Sequence, residues 1–441
     1  MPRAGNGGIH IFRPQGPESM KNKDEGGTET QPEMAGLRQG GIVTCGECFA
    51  IAGQGGNMKG TIIDYLKEYA DVSLRDEPMN DVDSLVLCQF SYLKFDAVVP
   101  PVTEDKKPVS LQQIQEHPDY EKLYGDERYE KENRALFEAM LGCARFRNMK
   151  LNYYINIIET QSDFETQFSA VTFLLEDGTV YVAYRGTDET IVGWKEDFNM
   201  AFLSPVPGQE LAVKYLSVVT ERLQGKFYVG GHSKGGNLAV YAAMNCAPGA
   251  QDRILKIYSM DGPGFRPEVL EKCDFGKIEE RTCKILPHSS LVGMLFEKDI
   301  RYQVVESRTF GLAQHNPFTW LVQDGDFVTV SDIYETRRFM DDTLNEWILS
   351  LDEQSRRTFV DTLFQILSAS EADNLIDFTA NLKRSMTGIL GAMKGMDEDT
   401  QKALRQTVKA LFEIGGMRMK QELKARAQKR EARAGIEERK G

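Results

Sequence analysis

The pentapeptide at residues 231–235, Gly-His-Ser-Lys-Gly, places a serine between two glycines at a spacing that can support covalent chemistry. An apolar run precedes it at residues 227–230 and a helical pattern follows at 234–245, which is the context that the G-x-S-x-G nucleophile elbow requires. Glycines two positions from the serine let the strand and the helix approach, and the turn then exposes the hydroxyl. A structural glycine-rich turn is the alternative, but the flanking elements and Gly236 favour Ser233 as a nucleophile.

A serine nucleophile needs a general base, and the chain has five histidines, His10, His117, His232, His288 and His315. The usual chain order around such an elbow is serine, acid, histidine, so only His288 and His315 qualify. His315 follows the last predicted strand, where the imidazole is normally delivered, whereas His288 stands where the acid is normally placed. We therefore predict His315 as the base and expect His232 to support the elbow.

Two backbone donors are expected to stabilise an oxyanion beside Ser233. One is the N–H of Lys234, at the N-terminus of the predicted helix, where the helix dipole assists. The other should come from a loop after an earlier strand, and Tyr-Arg-Gly-Thr-Asp at residues 184–188 fits, with Thr187 offering an N–H and a hydroxyl. The alternative for this segment is a surface turn with an ion pair between Arg185 and Asp188.

The composition of the chain argues against several classes of function. The formal net charge is −13 with no central basic patch, the opposite of what a nucleic-acid binder usually shows. No apolar run is long enough to span a bilayer, and no signal peptide is predicted, so we expect a cytoplasmic protein. The seven scattered cysteines indicate a reducing compartment. Cys45 and Cys48 lack the second ligand pair that a zinc site needs, so no metal site is expected.

The pattern along the chain predicts three regions. Residues 1–57 are polar and glycine-rich, which predicts disorder; alternatively this segment is not translated natively and Met58 is the authentic start. Residues 58–330 alternate strands and helices, including a hairpin around Asp177-Gly178, and so predict an α/β fold with a mostly parallel central sheet. Residues 331–441 predict a helical C-terminal region, whose basic end at 418–440 is either a solvated helix or a tail for peripheral membrane contact.

Several motifs together resemble a known family. They are the segments at residues 184–188, 193–198, 230–239, 261–265 and 314–316. In combination they look like the Mbeg-like family of bacterial proteins of unknown function, which is similar in turn to class 3 (fungal-type) lipases. The resemblance covers residues 58–330. It implies an α/β-hydrolase fold with Ser233 as nucleophile, His315 as base, and Thr187 and Lys234 at the oxyanion hole, and it implies no particular substrate.

One departure from the lipase pattern concerns the acid of the triad. Class 3 lipases carry an Asp just after the strand before the histidine loop, but residues 286–293 contain no carboxylate. Asp261, after the preceding strand, could orient the imidazole instead, because that is all the third member must do. Asp261 could equally be a turn residue; Glu297 and Asp299 are further candidates, and a dyad completed by Ser290 or a backbone carbonyl would still turn over slowly.

These features together predict a serine hydrolase that cleaves an acyl ester of a lipid or a small molecule, without a metal or cofactor. The apolar segment at residues 191–206 is either a lid over an acyl pocket or ordinary core. Acyl transfer or thioester cleavage at the same site is not distinguished from ester hydrolysis by the sequence. The alternative from another class is a catalytically weak or inactive hydrolase-like scaffold whose helical C-terminus binds a partner protein. Two features motivate it: the usual acid position is empty, and the predicted helical C-terminal region is large.

Overall fold

The structure, a computed structural model, describes residues 59–125, 129–159, 166–186, 205–288, 290, 292–295, 301–309, 311–330 and 401. The predicted N-terminal extension at 1–57 lies outside these residues. So do the greater part of the apolar segment at 191–206 and, apart from Gln401, the predicted helical region at 331–441.

An eight-stranded sheet forms the centre of the fold. Its strands are β1 (Val109–Ser110), β2 (Lys150–Glu159), β3 (Thr166–Leu174), β4 (Val180–Arg185), β5 (Phe227–His232), β6 (Ile254–Met260), β7 (Thr282–Pro287) and β8 (Tyr302–Val305). The helices are α1 (Ile62–Glu68), α2 (Asp81–Phe90), α3 (Leu111–Gln115), α4 (Glu130–Gly142), α5 (Pro207–Arg222), α6 (Lys234–Asn245), α7 (Pro248–Gln251) and α8 (Pro267–Lys272). None of the helices among the described residues is both long enough and apolar enough to cross a membrane.

The strands lie in the sheet in the order in which they occur in the chain. Strands β1 to β4 pair antiparallel, and the pairings from β4 to β8 are parallel. The turn between β3 and β4 runs through Asp177-Gly178, with Gly178 at φ 88°, so the predicted hairpin is confirmed. The α/β fold with a mostly parallel sheet is therefore confirmed.

Side chains of β5 alternate between the two faces of the sheet and show how the helices are layered. A Cβ at Gly230 would meet the hydroxyl of Tyr181, which lies 2.6 Å from Ser84 Oγ of α2. A Cβ at Gly231 would instead meet the backbone of Gly235 in α6. Helices α2 and α6 therefore cover opposite faces, α1 and α4 pack with α2, and α5 packs with α6.

Several elements were not predicted from the sequence, among them a long strand and a short hairpin. In β2 the pairing register shifts between Asn152 and Ile155, and Tyr153 takes a positive φ of 55°, so the alternation that marks a strand is interrupted. After β8 a two-residue Asp324-Gly325 turn joins the short strands β9 (Val322–Gln323) and β10 (Asp326–Phe327). Strands this short leave too few residues for a periodic pattern.

A buried ion pair joins the helices on the α2 face. Arg145 donates from Nε to Asp83 Oδ1 at 2.8 Å and from Nη2 to Asp83 Oδ2 at 2.5 Å, with both side chains fully buried. The Tyr65 hydroxyl of α1 donates to Oδ1 at 2.8 Å, and the Asn80 N–H donates to Oδ2 at 3.0 Å. One carboxylate thus links α1, the start of α2 and the chain after α4.

Removing this carboxylate should destabilise the fold strongly. Asp83→Ala leaves the Arg145 guanidinium buried without its counter-charge, which we expect to lower the free energy of unfolding by about 3–5 kcal/mol. Urea denaturation measures it. The matched control is Glu121→Gln, since Glu121 pairs with Arg134 at an exposed site and should leave the midpoint nearly unchanged. Equal midpoints for the two variants would contradict the role given to Asp83.

Candidate active site

Ser233 lies at the tight turn between β5 and α6. Its backbone takes φ 57° and ψ −132°, a conformation that non-glycine residues rarely adopt and that costs about 1–3 kcal/mol. The surroundings hold it there: its N–H donates to the carbonyl of Met260 at the end of β6, at 2.9 Å. Ser233 therefore has the strained backbone expected of a serine at such a strand-to-helix turn, and the residue is 4% exposed.

Two glycines permit this turn, and each is required by a backbone contact. A Cβ on Gly231 would overlap the carbonyl group of Gly235, and a Cβ on Gly235 would overlap the carbonyl oxygen of Tyr184 in β4. These are main-chain atoms, so they cannot move aside as a flexible side chain could. The close approach of strand and helix that the motif predicts is present.

Asp261 and His315 come together beside this turn. Asp261 directly follows β6, takes φ 51°, is 1% exposed and donates its N–H to Ile285 of β7 at 2.8 Å. His315 ends the 3₁₀ turn Gly311–His315, and its Nδ1 lies 2.7 Å from Asp261 Oδ2. The predicted base is thus in contact with one of the predicted acid candidates. Glu297 and Asp299 lie outside the described residues.

The other oxygen of the Asp261 carboxylate is held by residues that follow β7. Ser290 Oγ donates to Oδ1, and the Gly293 N–H donates to the same oxygen at 3.2 Å. The position of a Cβ on Gly293 is only 2.5 Å from Oδ1, so glycine is needed for the main chain to come this close. Residues 286–293, which contain no carboxylate, therefore supply two hydrogen-bond donors to the carboxylate of Asp261. One of these donors is Ser290, the residue considered above as a substitute for the acid.

His315 also contacts His232, the residue before Ser233. His232 Nε2 lies 2.7 Å from the carbonyl oxygen of His315, and the two ring centroids are 4.5 Å apart. The hydroxyl of Tyr92, which follows α2, lies 3.0 Å from His232 Nδ1. Sequence reasoning missed Tyr92 because it is 140 residues earlier in the chain and no local motif marks it. Burial and the neighbouring His315 hold the pKa of His232 well below its usual value, so its ring is neutral.

His288, the other candidate base, occupies a different environment. It is 3% exposed, its N–H donates to Val305 of β8, and its Nε2 lies 2.8 Å from Gln314 Nε2. Burial lowers the pKa of His288. The structure thus brings His315 to Asp261 and places His288 beside Gln314, next to the β7–β8 pairing.

The predicted oxyanion donors are described in part. Lys234 is the first residue of α6, and its buried side chain turns toward the start of β3, where Nζ donates to Gln167 O at 2.7 Å. Thr187 lies outside the described residues. Gly186, just before it, is described: a Cβ there would collide with the Tyr92 hydroxyl and lie 3.2 Å from Ser233 Cβ. The end of β4 therefore runs directly beside the serine.

Within the part of the chain that the structure describes, no group of three or more His, Cys, Asp or Glu side chains could hold a metal ion. The cysteines described there, Cys88, Cys143, Cys246, Cys273 and Cys283, are free thiols.

A methyl group at Gly235 tests the geometry of the turn. Gly235→Ala should lower the free energy of unfolding by about 1–3 kcal/mol or more, because the added Cβ must displace the Tyr184 main chain. Thermal and urea unfolding measure the change. Gly249→Ala in α7 is the matched control, since a Cβ there meets nothing within 4 Å. If both alanines had the same effect, the close packing at the turn would not be the constraint described.

Part of the chain is similar to known proteins. Residues 140–365, more than half of the 441, match the Mbeg1-like family. The solved structure of lipase II from Rhizopus niveus matches at 17% identity over 45% of this chain and 83% of the lipase chain, with a TM-score of 0.27. No curated protein matches. At that TM-score the two backbones do not superimpose closely, so the assignment rests on the family match, by which the chain belongs to the Mbeg1-like family.

Proposed function

We propose that the protein is a serine hydrolase that cleaves an acyl ester of a small molecule or lipid through an acyl-enzyme on Ser233. The observation that carries this proposal is the 2.7 Å contact between Asp261 and His315 beside the strained turn of Ser233. A nucleophile, an imidazole and a buried carboxylate converging in this way form the arrangement that activates a serine hydroxyl.

In the proposed mechanism, His315 acts as the general base. With its Nδ1–H directed to Asp261, its Nε2 carries the lone pair and can take the proton of Ser233. The serine oxygen attacks the ester carbonyl carbon, and the Lys234 and Thr187 N–H groups hold the oxyanion. His315 then gives its proton to the leaving alcohol, and water, deprotonated by the same ring, releases the acid.

Asp261 would orient His315 and stabilise the imidazolium that forms during turnover. Its other oxygen accepts hydrogen bonds from Ser290 and Gly293, so the carboxylate cannot rotate away from the ring without losing them. One of the two reasons for considering an inactive scaffold was the empty acid position after β7; the other was the predicted helical C-terminal region. The contact of Asp261 with His315 weakens the first reason, and we favour the enzyme.

Labelling with a fluorophosphonate probe tests the nucleophile. The wild-type protein should label, because an activated serine oxygen displaces the leaving group on phosphorus, and Ser233→Ala should not. Ser217→Ala, which removes a hydroxyl on α5 that bonds to Val213 O, should label like the wild type. A folded wild-type protein that resists the probe would exclude the proposed hydrolase.

Replacing Asp261 with asparagine removes the negative charge of the proposed acid while keeping the shape of its side chain. Asp261→Asn should lower kcat by about a thousandfold or more, because the amide favours the wrong tautomer of His315. The measurement is hydrolysis of p-nitrophenyl esters of graded chain length, which also reports the acyl preference. Asp274→Asn, at an exposed pair with Lys277, serves as the control. Wild-type kcat in Asp261→Asn would remove Asp261 from the mechanism.

A further inference from the structure

His232 has a buried imidazole ring that takes no part in the proposed mechanism. It is 2% exposed and stands between the Tyr92 hydroxyl and the main chain of His315. We propose that Tyr92 and His232 are positioning residues that anchor the backbone of His315, so that its ring is held against Asp261 and toward Ser233. The inference rests on the proposed function, because it assigns what keeps the proposed base in place.

The hydrogen-bonding capacity of each atom fixes the direction of this chain of contacts. A carbonyl oxygen only accepts, so His232 Nε2 must carry the proton that it donates to His315 O at 2.7 Å. In a neutral ring Nδ1 then has only its lone pair, and the Tyr92 hydroxyl must donate to it at 3.0 Å. The His315 carbonyl thereby selects the tautomer of His232, and the Tyr92 hydroxyl stabilises it by donating to Nδ1.

His315 is consequently held at two separate points. Asp261 holds the ring through Nδ1, and His232 holds the main chain through the carbonyl. Without the bond from His232, the His315 main chain would have no tie to the residue beside Ser233, and the imidazole could shift relative to the serine. A misplacement of about 1 Å in such a site can lower the rate about 100-fold.

A neutral His232 ring is also compatible with a positive charge on the neighbouring His315. Its ring centroid is 4.5 Å from that of His315, which becomes an imidazolium in the proposed mechanism. A second positive charge at that distance would oppose proton transfer to His315. Burial and the neighbouring His315 depress the pKa of His232, so the ring can pack against the cation without adding charge.

Other contacts support the residues just before His315. Trp320 Nε1 donates to the carbonyl of Gln314 at 2.8 Å, and Thr309 Oγ1 donates to that of Ala313 at 2.9 Å. These bonds hold the 3₁₀ turn in shape and should keep variants at position 232 folded. The bond from His232 differs because it acts on His315 itself and comes from the residue next to the nucleophile, so it fixes the base relative to Ser233.

Four variants test the inference. In His232→Gln the amide nitrogen can occupy the place of Nε2 and still donate to His315, whereas in His232→Asn the side chain ends at the place of Nδ1. We expect kcat to fall about 100-fold in His232→Asn, about tenfold in Tyr92→Phe and less than tenfold in His232→Gln, with KM nearly unchanged. Tyr120→Phe is the control, since its hydroxyl contacts Tyr124.

A second measurement needs no turnover. The Nδ1 proton of His315, shared with Asp261, should give a low-field proton resonance that Asp261→Asn abolishes. We expect this signal to be lost or broadened in His232→Asn, weakened in Tyr92→Phe, and retained in His232→Gln and Tyr120→Phe. If the signal and kcat in His232→Asn and Tyr92→Phe equalled those of the wild type, the positioning role would be overturned while the hydrolase stood. If the wild-type protein neither hydrolysed esters nor reacted with the probe, the proposed hydrolase function would be excluded. The proton resonance in the His232 and Tyr92 variants would then be the test of the positioning role.

Discussion

The contact between the main chains of Gly231 and Gly235 is the constraint on which the site depends. It brings β5 and α6 so close that the residue between them must take a positive φ, and the residue there is Ser233. The same turn points His232 to one face of the sheet and starts α6 on the other. With any side chain at either glycine, the strand and the helix would separate and Ser233 would lose its backbone conformation.

The parallel half of the sheet explains why distant residues meet at this turn. Strands β4, β5 and β6 run in the same direction, so the residues that follow them, Gly186, Ser233 and Asp261, lie along one edge. The chain that follows β8 lies at the same edge, and it includes His315, which contacts Asp261 there. Residues at the carboxyl ends of parallel strands are where open α/β sheets place ligands and catalytic groups.

The sequence predicts well those features that depend on local pattern. The hairpin at Asp177-Gly178, the helix at residues 234–245 and the strand at 254–260 are present with little or no change of bounds. The acid was left open because its assignment depends on which strand end faces the histidine loop, a property of tertiary packing. Tyr92 was missed for the same reason, and β2 because a break in register hides its alternation. The cytoplasmic location stays a prediction from composition.

The order of strands in the sheet also bears on how the chain can assemble during synthesis. Because each strand lies beside the one that precedes it, every new strand meets an edge that is already present, and few long loops need closing. One contact over a long stretch of chain is the main-chain pairing of Gly60 with Val322, which joins the start of the described fold to the segment just after His315. The serine and the carboxylate can therefore be in place while the histidine is still being synthesised. The pairing of Gly60 with Val322 can form only after His315 has been synthesised, because Val322 follows His315 in the chain.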